Sequence, residues 1–314
     1  MYRLSLELEH HQDLLLKKNF GPNAPTTKIL KEKVDMLFLS VHPMIANNRP
    51  VPPNIVYFHA PHLHERKKLP QDLKSFLDDT PEGVVYVSLG SNIYPTLLAE
   101  DLLGAFIGAF KNLPYKFLWK FNGDDVSGIP KNVKVSKWFP QQDLLNHPNL
   151  KVFVTQGGIQ STSEGIDAAV PLVGVPLCSE QWYTTQKYED FGIGIRLNSL
   201  TMTANDLSQA IKTVYEDKRY KNNILKLRDI FRDQPESSIE RVVWWTEYVL
   251  RHGGAKHLKC LAAHTTFSEY YMIDLIIGTL VGSILFIPLM IFIACLLLKK
   301  ILLKKKKELK IKNK

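Results

Sequence analysis

Between residues 84 and 235 the sequence alternates short apolar runs with helical patterns, and this alternation restricts the fold more than any other feature. Parallel strands need long crossover connections, and helices in those connections cover both faces of the sheet. The predicted strands are residues 84–89, 117–121, 133–136, 152–155, 172–175 and 194–197, and the predicted helices are residues 97–110, 160–169, 182–190, 204–217 and 220–232. The pattern predicts a doubly wound α/β domain.

A long uncharged segment near the end of the chain predicts a membrane-spanning helix. Residues 275–298 contain 24 consecutive uncharged positions, which as a helix would cover about 36 Å and span a bilayer. A buried core helix is the alternative, and the length and the lysines that follow disfavour it. Positive charge favours the cytoplasmic side, so the preceding body is expected on the opposite, lumenal side.

The net charge of +9 belongs mainly to the tail of the chain. Residues 299–314 contain nine lysines and one glutamate, which leaves 31 basic and 30 acidic residues before them. The folded part is nearly neutral, so no nucleic-acid partner is expected. Cys178, Cys260 and Cys295 are too scattered for a disulfide framework or a zinc site.

Polar residues follow the predicted strands, where ligands of open α/β sheets bind. Gly157 and Gly158 lie between a strand and a helix start, an arrangement suited to phosphate, and Glu164 one turn later is placed for ribose hydroxyls. Gly90 and Ser91 offer a second, weaker phosphate contact. A plain tight turn is the alternative for the glycines.

Two further strand ends carry candidate binding groups. Trp138 could stack on a nucleobase, or it could be a core tryptophan. Glu180 and Gln181 could bind sugar hydroxyls, although Glu180 could also be a simple helix-terminal acid. Together the strand ends offer groups for a base, a ribose, a diphosphate and a sugar, which favours a nucleotide sugar as ligand. A nicotinamide-dependent oxidoreductase, a P-loop NTPase and a serine hydrolase are disfavoured, because the expected glycine-rich and nucleophile motifs are lacking.

The stretch at residues 138–181, from WFPQQDLLNHPN to VPLCSEQ, resembles the donor-binding signature of the UDP-glycosyltransferase family, particularly its insect members. The resemblance extends over residues 84–298. It implies a GT-B-type fold with one complete Rossmann-like donor domain, a truncated acceptor domain and a C-terminal transmembrane helix. It also implies inverting, metal-independent transfer of a hexose from a UDP-sugar to a small lipophilic acceptor, with no cofactor beyond the donor substrate. Glucose is the expected sugar, with glucuronic acid and galactose as alternatives.

The resemblance also assigns roles to residues of this chain. The implied contacts are uracil with Trp138, ribose with Gln141 and Glu164, diphosphate with Ser91, Gly157, Gly158 and Ser161, and donor sugar with Glu180 and Gln181. Two positions depart from the family pattern. Gln156, counted with the UDP-binding residues, stands where many members have histidine, and Glu180 replaces the more common aspartate.

No catalytic residue is assigned from the sequence. The family's general base is a histidine near the start of an N-terminal acceptor domain, and the surroundings of His10 and His11 do not match that motif. The absence of a signal peptide and of most of that domain leads us to expect that the chain lacks its natural beginning. For His59, His62 and His64 the sequence favours a solvated linker over a metal site.

The expected organisation follows the chain order. It comprises an acceptor-domain remnant (1–60), a linker (61–83), the UDP-sugar donor-binding domain (84–235), a C-terminal helix with a juxtamembrane segment (236–270), the transmembrane helix (271–298) and a basic cytoplasmic tail (299–314). Lys310 and Lys312 resemble a dilysine retrieval signal, which favours the endoplasmic reticulum membrane, and a generic basic flank is the alternative. Association with itself or with other transferases is a further expectation. An inactive, membrane-anchored UDP-sugar-binding subunit is the alternative function.

Overall fold

The structure is a computed structural model that describes residues 2–91, 99–123, 128–260 and 265–312, with the side chains of residues 2–6 and 303–312 left out. It separates into two compact units, residues 1–255 and residues 256–314. The strands are β1 (Leu37–Ser40), β2 (Ile55–Phe58), β3 (Val84–Ser88), β4 (Lys116–Lys120), β5 (Val133–Ser136), β6 (Leu150–Thr155), β7 (Leu172–Gly174) and β8 (Gly194–Arg196).

The described residues also form twelve α-helices, of which the first two precede the strands. They are α1 (Tyr2–Phe20), α2 (Thr27–Glu32), α3 (Gln71–Asp78), α4 (Glu100–Asn112), α5 (Gln141–Leu145), α6 (Ile159–Asp167), α7 (Gln181–Asp190), α8 (Ala204–Glu216), α9 (Lys218–Arg232), α10 (Ser238–Arg251), α11 (Phe267–Tyr270) and α12 (Ile273–Lys312). A short 3-10 helix covers Lys256–Leu258.

The predicted doubly wound sheet is confirmed. Six strands pair in the order β5-β4-β3-β6-β7-β8, and every pairing is parallel. All five residues of β3 are buried, as expected for a central strand covered on both faces. Val85 and Val87 pack in one core cluster, with α4 and α8, while Val84 and Tyr86 pack in the other, with α3, α5, α6, α7 and α9.

A smaller parallel sheet precedes the large one. It consists of β1 and β2 alone among the described strands, with Leu37 opposite Ile55 and Ser40 opposite Phe58. The Ser238 hydroxyl at the start of α10 donates to the His59 carbonyl over 2.6 Å and accepts from the His59 amide over 3.0 Å. These two hydrogen bonds join the end of β2 to a helix far away in sequence.

The predicted linker at residues 61–83 is more structured than the sequence suggested. It contains α3, whose Leu73 and Leu77 are buried in the core. The polar composition concealed this helix, because only one face of its two turns is apolar. The domain boundaries at residues 60, 83 and 235 stay predictions, since all three fall inside the first compact unit.

The second unit contains the apolar segment. Among the described residues, α12 is the one helix long and apolar enough to cross a membrane, over Ile273–Leu302. The helix continues without a break through Pro288 and into the basic tail as far as Lys312. Lysine is a good helix former, so the change from apolar to basic sequence does not end the helix.

Two imidazoles, the buried His42 and the half-buried His59, pack against Phe231 of α9. The His42 ring stacks on Phe231 with 3.9 Å between ring centroids, and the His59 ring meets the same phenyl edge-on at 4.9 Å. Burial lowers the pKa of His59 to about 4, with a smaller contribution from the nearby His42. Nδ1 of His59 is buried and has no hydrogen-bond partner among the described residues.

This arrangement predicts a loss of stability in mild acid. The pKa of His59 in the folded chain, about 4, lies below the ordinary value of 6.5, so the unfolded chain binds more protons between those values. We therefore expect the free energy of unfolding to fall by up to about 3 kcal/mol as the pH drops from roughly 6.5 to 4. Denaturant unfolding followed by tryptophan fluorescence at several pH values measures this slope.

His59→Asn removes this titrating ring and should reduce the slope, leaving the smaller contribution of His42, whose pKa burial also lowers. His11→Asn, on the exposed surface of α1, is the matched control and should keep it. An unchanged slope in His59→Asn contradicts the assignment.

Candidate functional site

The candidate site lies where the order of the sheet reverses. From β3 the chain moves outward to β4 and β5, and it then returns to the other side of β3 for β6. The register places Ser136, Lys120, Ser88, Thr155 and Gly174 in one row at the carboxyl ends of five strands. Open α/β sheets bind ligands at such a reversal, because the two neighbouring connections leave on opposite faces and open a crevice.

A cleft of about 530 Å³ lies at these strand ends. Half of the ten predicted site residues line it: Ser91, Trp138, Gln141, Ser161 and Glu164. The other five are placed outside its lining: Gln156, Gly157, Gly158, Glu180 and Gln181. The cleft therefore brings together the predicted base and ribose groups with two of the predicted phosphate groups.

A hydrogen-bond network organises the floor of the cleft. Nε2 of Gln141 donates to Oε2 of Glu164 over 2.8 Å and to the Ser161 hydroxyl over 3.0 Å. The Tyr86 hydroxyl donates to Oε1 of Gln141 over 3.1 Å. Burial raises the pKa of the Tyr86 hydroxyl, so it stays protonated and fixes which way the Gln141 amide points. The two predicted ribose-binding residues are thus in direct contact and held in a defined orientation.

Trp138 presents an exposed indole at the cleft. Its side chain follows β5 and is 69% exposed, so the alternative of a core tryptophan is wrong. The turn is held by the Ser136 hydroxyl, which donates to the Trp138 carbonyl over 2.9 Å. An indole fixed by its backbone and open on its face is suited to stacking on a planar ring.

Lys120 is a cleft residue that the sequence reasoning missed. It ends β4, is 9% exposed, and donates from Nζ to the Gly90 carbonyl over 2.9 Å. Its ammonium lies 5.4 Å from the centre of the Trp138 ring, a cation–π geometry. Burial lowers the pKa of this ammonium, because the charged form loses hydration. A lysine at the end of an apolar strand was the signal that could have found it.

His62 is a second missed residue, and it corrects the solvated-linker prediction. Its Nε2 lies 3.1 Å from Oε1 of Glu164. The ring is 30% exposed and Glu164 is 13% exposed, while the ring of His59 is buried against Phe231. The irregular segment between β2 and α3 is held at the cleft by two side chains of α5: Gln142 donates to the His64 carbonyl, and Asp143 accepts from the Lys67 amide. No group of three or more histidine, cysteine or acidic side chains that could hold a metal occurs in the described part of the chain.

The loop after β6 is built around one required glycine. Gly157 has φ +92°, and a Cβ there would clash with Cγ2 of Thr185 and lie 3.2 Å from the Gln181 carbonyl oxygen. Gln156 next to it fills the space beside Gly90, and its Oε1 is buried without a hydrogen-bond partner among the described residues. The tight turn is therefore real, and it leads directly into α6, whose first amides, as at any helix start, have no acceptor within the helix.

The turn after β7 uses Gln181 for its own structure. Oε1 of Gln181 accepts from the amides of Leu177 over 2.9 Å and Cys178 over 3.1 Å, so only its NH₂ group is left for a ligand. Glu180, at the N-cap of α7, is exposed. The sugar-binding roles of both residues stay predictions.

The sequence and structure have related proteins of known type. The family model "UDP-glucoronosyl and UDP-glucosyl transferase" matches residues 19–309. An ecdysteroid UDP-glucosyltransferase of Spodoptera littoralis nuclear polyhedrosis virus is 40% identical over 289 residues, covering 90% of this chain and 56% of that protein. UDP-glucosyltransferase 2 of Dactylopius coccus is 32% identical, covering 85% of this chain and 52% of that protein. The chain spans about half the length of the curated relatives that it matches.

Two solved structures share the fold. A UDP-glucose: anthocyanidin 3-O-glucosyltransferase in complex with UDP aligns with a TM-score of 0.55 at 22% identity, covering 63% of this chain and 48% of that one. A glycotransferase of kitacinnamycin aligns with a TM-score of 0.59 at 20% identity, covering 76% and 61%. At this identity the likeness concerns the fold alone, which is the GT-B type.

Neighbouring glycines allow a test of the loop after β6. Gly157→Ala should lower the free energy of unfolding by about 1–3 kcal/mol, because the new methyl group meets Thr185 in a backbone conformation that alanine disfavours. Gly158→Ala should cost less than about 1 kcal/mol, since Gly158 has φ −59° and its nearest neighbour would lie 3.7 Å away. Denaturant unfolding of both variants gives the comparison, and equal losses contradict the strained turn.

Proposed function

This chain belongs to the UDP-glucuronosyl and UDP-glucosyl transferase family, and on that basis we propose that its cleft binds a UDP-sugar whose hexose, glucose, is transferred to a small lipophilic acceptor. The observation that carries the proposal is the network of Gln141, Ser161 and Glu164 beside an exposed Trp138. These groups suit a nucleotide because one offers an aromatic face and the others offer a carboxylate and donors for vicinal hydroxyls.

The nucleotide would lie along the strand ends. The uracil ring stacks on Trp138, and the ribose hydroxyls donate to Glu164 while Gln141 holds that carboxylate. The diphosphate then lies between the Ser91 loop and the start of α6, near Ser161. Helix amides and hydroxyls bind phosphate oxygens well, because unsatisfied amides and the helix dipole favour negative charge there.

Gln156 stands where many family members have histidine, and its amide is neutral. Lys120 supplies a positive charge to the cleft instead. The ammonium lies between the Gly90 carbonyl and the Trp138 ring, both in the part of the cleft assigned to the base and the phosphates. During transfer the bond from the anomeric carbon to the diphosphate breaks, and the leaving UDP gains negative charge. A fixed cation and oriented amides stabilise that charge, so we propose a transfer that needs neither a metal nor a cofactor.

The proposed chemistry is a single displacement. The acceptor hydroxyl attacks the anomeric carbon from the side opposite UDP, which inverts that centre, and its proton passes to a general base. No described residue is assigned as this base. Glu180 and Gln181 are proposed to bind the donor sugar. Glucose is favoured because the viral and coccid relatives are named glucosyltransferases.

Calorimetry with the full chain in detergent micelles tests the donor site. We expect UDP to bind, with weaker binding of ADP, and Trp138→Ala to lose roughly 5- to 150-fold in affinity through lost stacking. Lys120→Ala should weaken UDP more than uridine, because it removes a charge near the phosphates. Trp244→Ala is the matched control, since this tryptophan is also exposed but lies on α10 outside the cleft lining. A folded wild-type chain without UDP affinity contradicts the proposal.

A transfer assay separates an enzyme from a binding subunit. Release of UDP from UDP-glucose in the presence of a hydroxylated lipophilic acceptor supports transfer by this chain. UDP binding without such release supports the second candidate, a membrane-anchored UDP-sugar-binding subunit that acts with other transferases.

We further propose that α12 anchors the chain in the endoplasmic reticulum membrane, with residues 1–255 in the lumen and the basic tail in the cytoplasm. Lys299 and Lys300 directly follow the apolar segment, which supports this orientation. In sealed microsomes, protease should remove an epitope on the tail and leave an epitope on residues 1–255 intact. The reverse pattern contradicts the orientation.

A further inference from the structure

A side chain from outside the Rossmann-like sheet reaches the carboxylate at the centre of the cleft. His62 lies in the irregular segment between β2 and α3, and Glu164 lies on α6, 102 positions later in the sequence. Nε2 of His62 is 3.1 Å from Oε1 of Glu164. Because an ionised carboxylate can only accept hydrogen bonds, this nitrogen carries the hydrogen and donates it.

The segment that carries His62 is fixed to α5 by two further contacts. Nε2 of Gln142 donates to the His64 carbonyl over 2.8 Å, and the Lys67 amide donates to Oδ1 of Asp143 over 2.7 Å. Gln141, the preceding residue of the same helix, holds Oε2 of Glu164. Three consecutive residues of α5 therefore set both the segment and the carboxylate, so the distance between His62 and Glu164 is fixed by one short helix.

The two carboxylate oxygens of Glu164 each have one donor. Gln141 donates to Oε2 and His62 donates to Oε1. A carboxylate can accept about four hydrogen bonds, so each oxygen keeps capacity for one more. Two donors on opposite oxygens also fix the rotation of the carboxylate plane, which the long glutamate side chain would otherwise sample freely. What remains is a pair of oriented acceptors facing the cleft.

We propose that His62 is a positioning residue that sets Glu164 for the two vicinal hydroxyls of a ribose, and that it thereby makes the chain select ribonucleotides over deoxyribonucleotides. This rests on the proposed function, since it takes the cleft to hold UDP. Without His62, Oε1 loses its donor and the carboxylate is held through Oε2 alone. The nucleotide can still stack and bind through its phosphates, but its hydroxyls no longer meet two fixed acceptors.

The test compares the affinities of UDP, 2′-deoxy-UDP and 3′-deoxy-UDP for the full chain in detergent micelles. Wild type should prefer UDP over each deoxy nucleotide by roughly tenfold or more, as for a hydrogen bond to a charged group. His62→Leu keeps a side chain of similar size without a donor, and it should reduce both preferences to about threefold or less. His62→Gln restores an N–H donor and should recover most of the preference. The ratio of affinities is the readout, because a general loosening of the fold weakens all three ligands equally.

His147→Leu is the matched control. It removes another histidine–carboxylate pair of the same length, 3.1 Å between Nε2 of His147 and Oδ1 of Asp78, away from the cleft lining. It should leave the ribose preference unchanged. If His62→Leu does not fold, the same comparison is made with His62→Ala and His62→Asn.

The outcomes separate this inference from the proposed function. If the wild-type chain binds UDP with a strong ribose preference and His62→Leu retains that preference, the role of His62 is overturned and the donor site stands. An equal loss for all three ligands in His62→Leu, or a wild type without ribose preference, also overturns that role alone. A folded wild type that binds no UDP overturns both.

Discussion

The pairing of β3 with β4 on one side and β6 on the other decides where the strand-end polar groups of the cleft lie. Ser88 at the end of β3 is in register with Lys120 and with Thr155, so the connections after three strands leave from one row. Parallel pairing sends all carboxyl ends to the same edge, and the reversal of strand order separates the connections there. The cleft therefore follows from backbone register before any side chain contributes to it.

Charge is divided along this cleft. Glu164 is held by hydrogen bonds from Gln141 and His62, while the ammonium of Lys120 lies against the Trp138 ring and the Gly90 carbonyl. The half-buried carboxylate and the buried ammonium are each stabilised by hydrogen bonds, without a direct ion pair between them in the described contacts. Such a division suits a ligand with hydroxyl groups at one place and anionic oxygens at another, as a nucleoside diphosphate has.

The first sheet and α10 contribute to the cleft indirectly. Ser238 holds both the amide and the carbonyl of His59, and the His59 ring packs against Phe231 of α9. His62 lies three positions further on, so the end of β2 is fixed before the segment reaches Glu164. Elements from distant parts of the chain thus place one donor in the site. The half-buried, weakly basic His59 links this arrangement to the stability of the fold in acid.

Much of the local structure was predictable. The six strands of the large sheet and the helices after them, except α5, which was not predicted, fall within a few residues of their predicted bounds, because apolar periodicity and strand-end glycines are local signals. The predicted residues that line the cleft, such as Trp138 and Glu164, follow strands or open helices. By contrast, the polar sequence around α3 concealed that helix. Gln156 packs beside Gly90 and Gln181 accepts hydrogen bonds within its own turn, and neither residue lines the cleft.

The sequence by itself determined the parallel α/β class, the apolar helix at the end of the chain, the strand-end motifs and the resemblance to the family. These depend on spacing and residue type within short stretches. The tertiary structure decided which of the motif residues share one cleft, and it added Tyr86, Lys120 and His62 to them. The physical reason is distance along the chain: the hydrogen bonds of these three side chains to Gln141, Gly90 and Glu164 join residues between 30 and 102 positions apart, and only the tertiary fold brings such residues together.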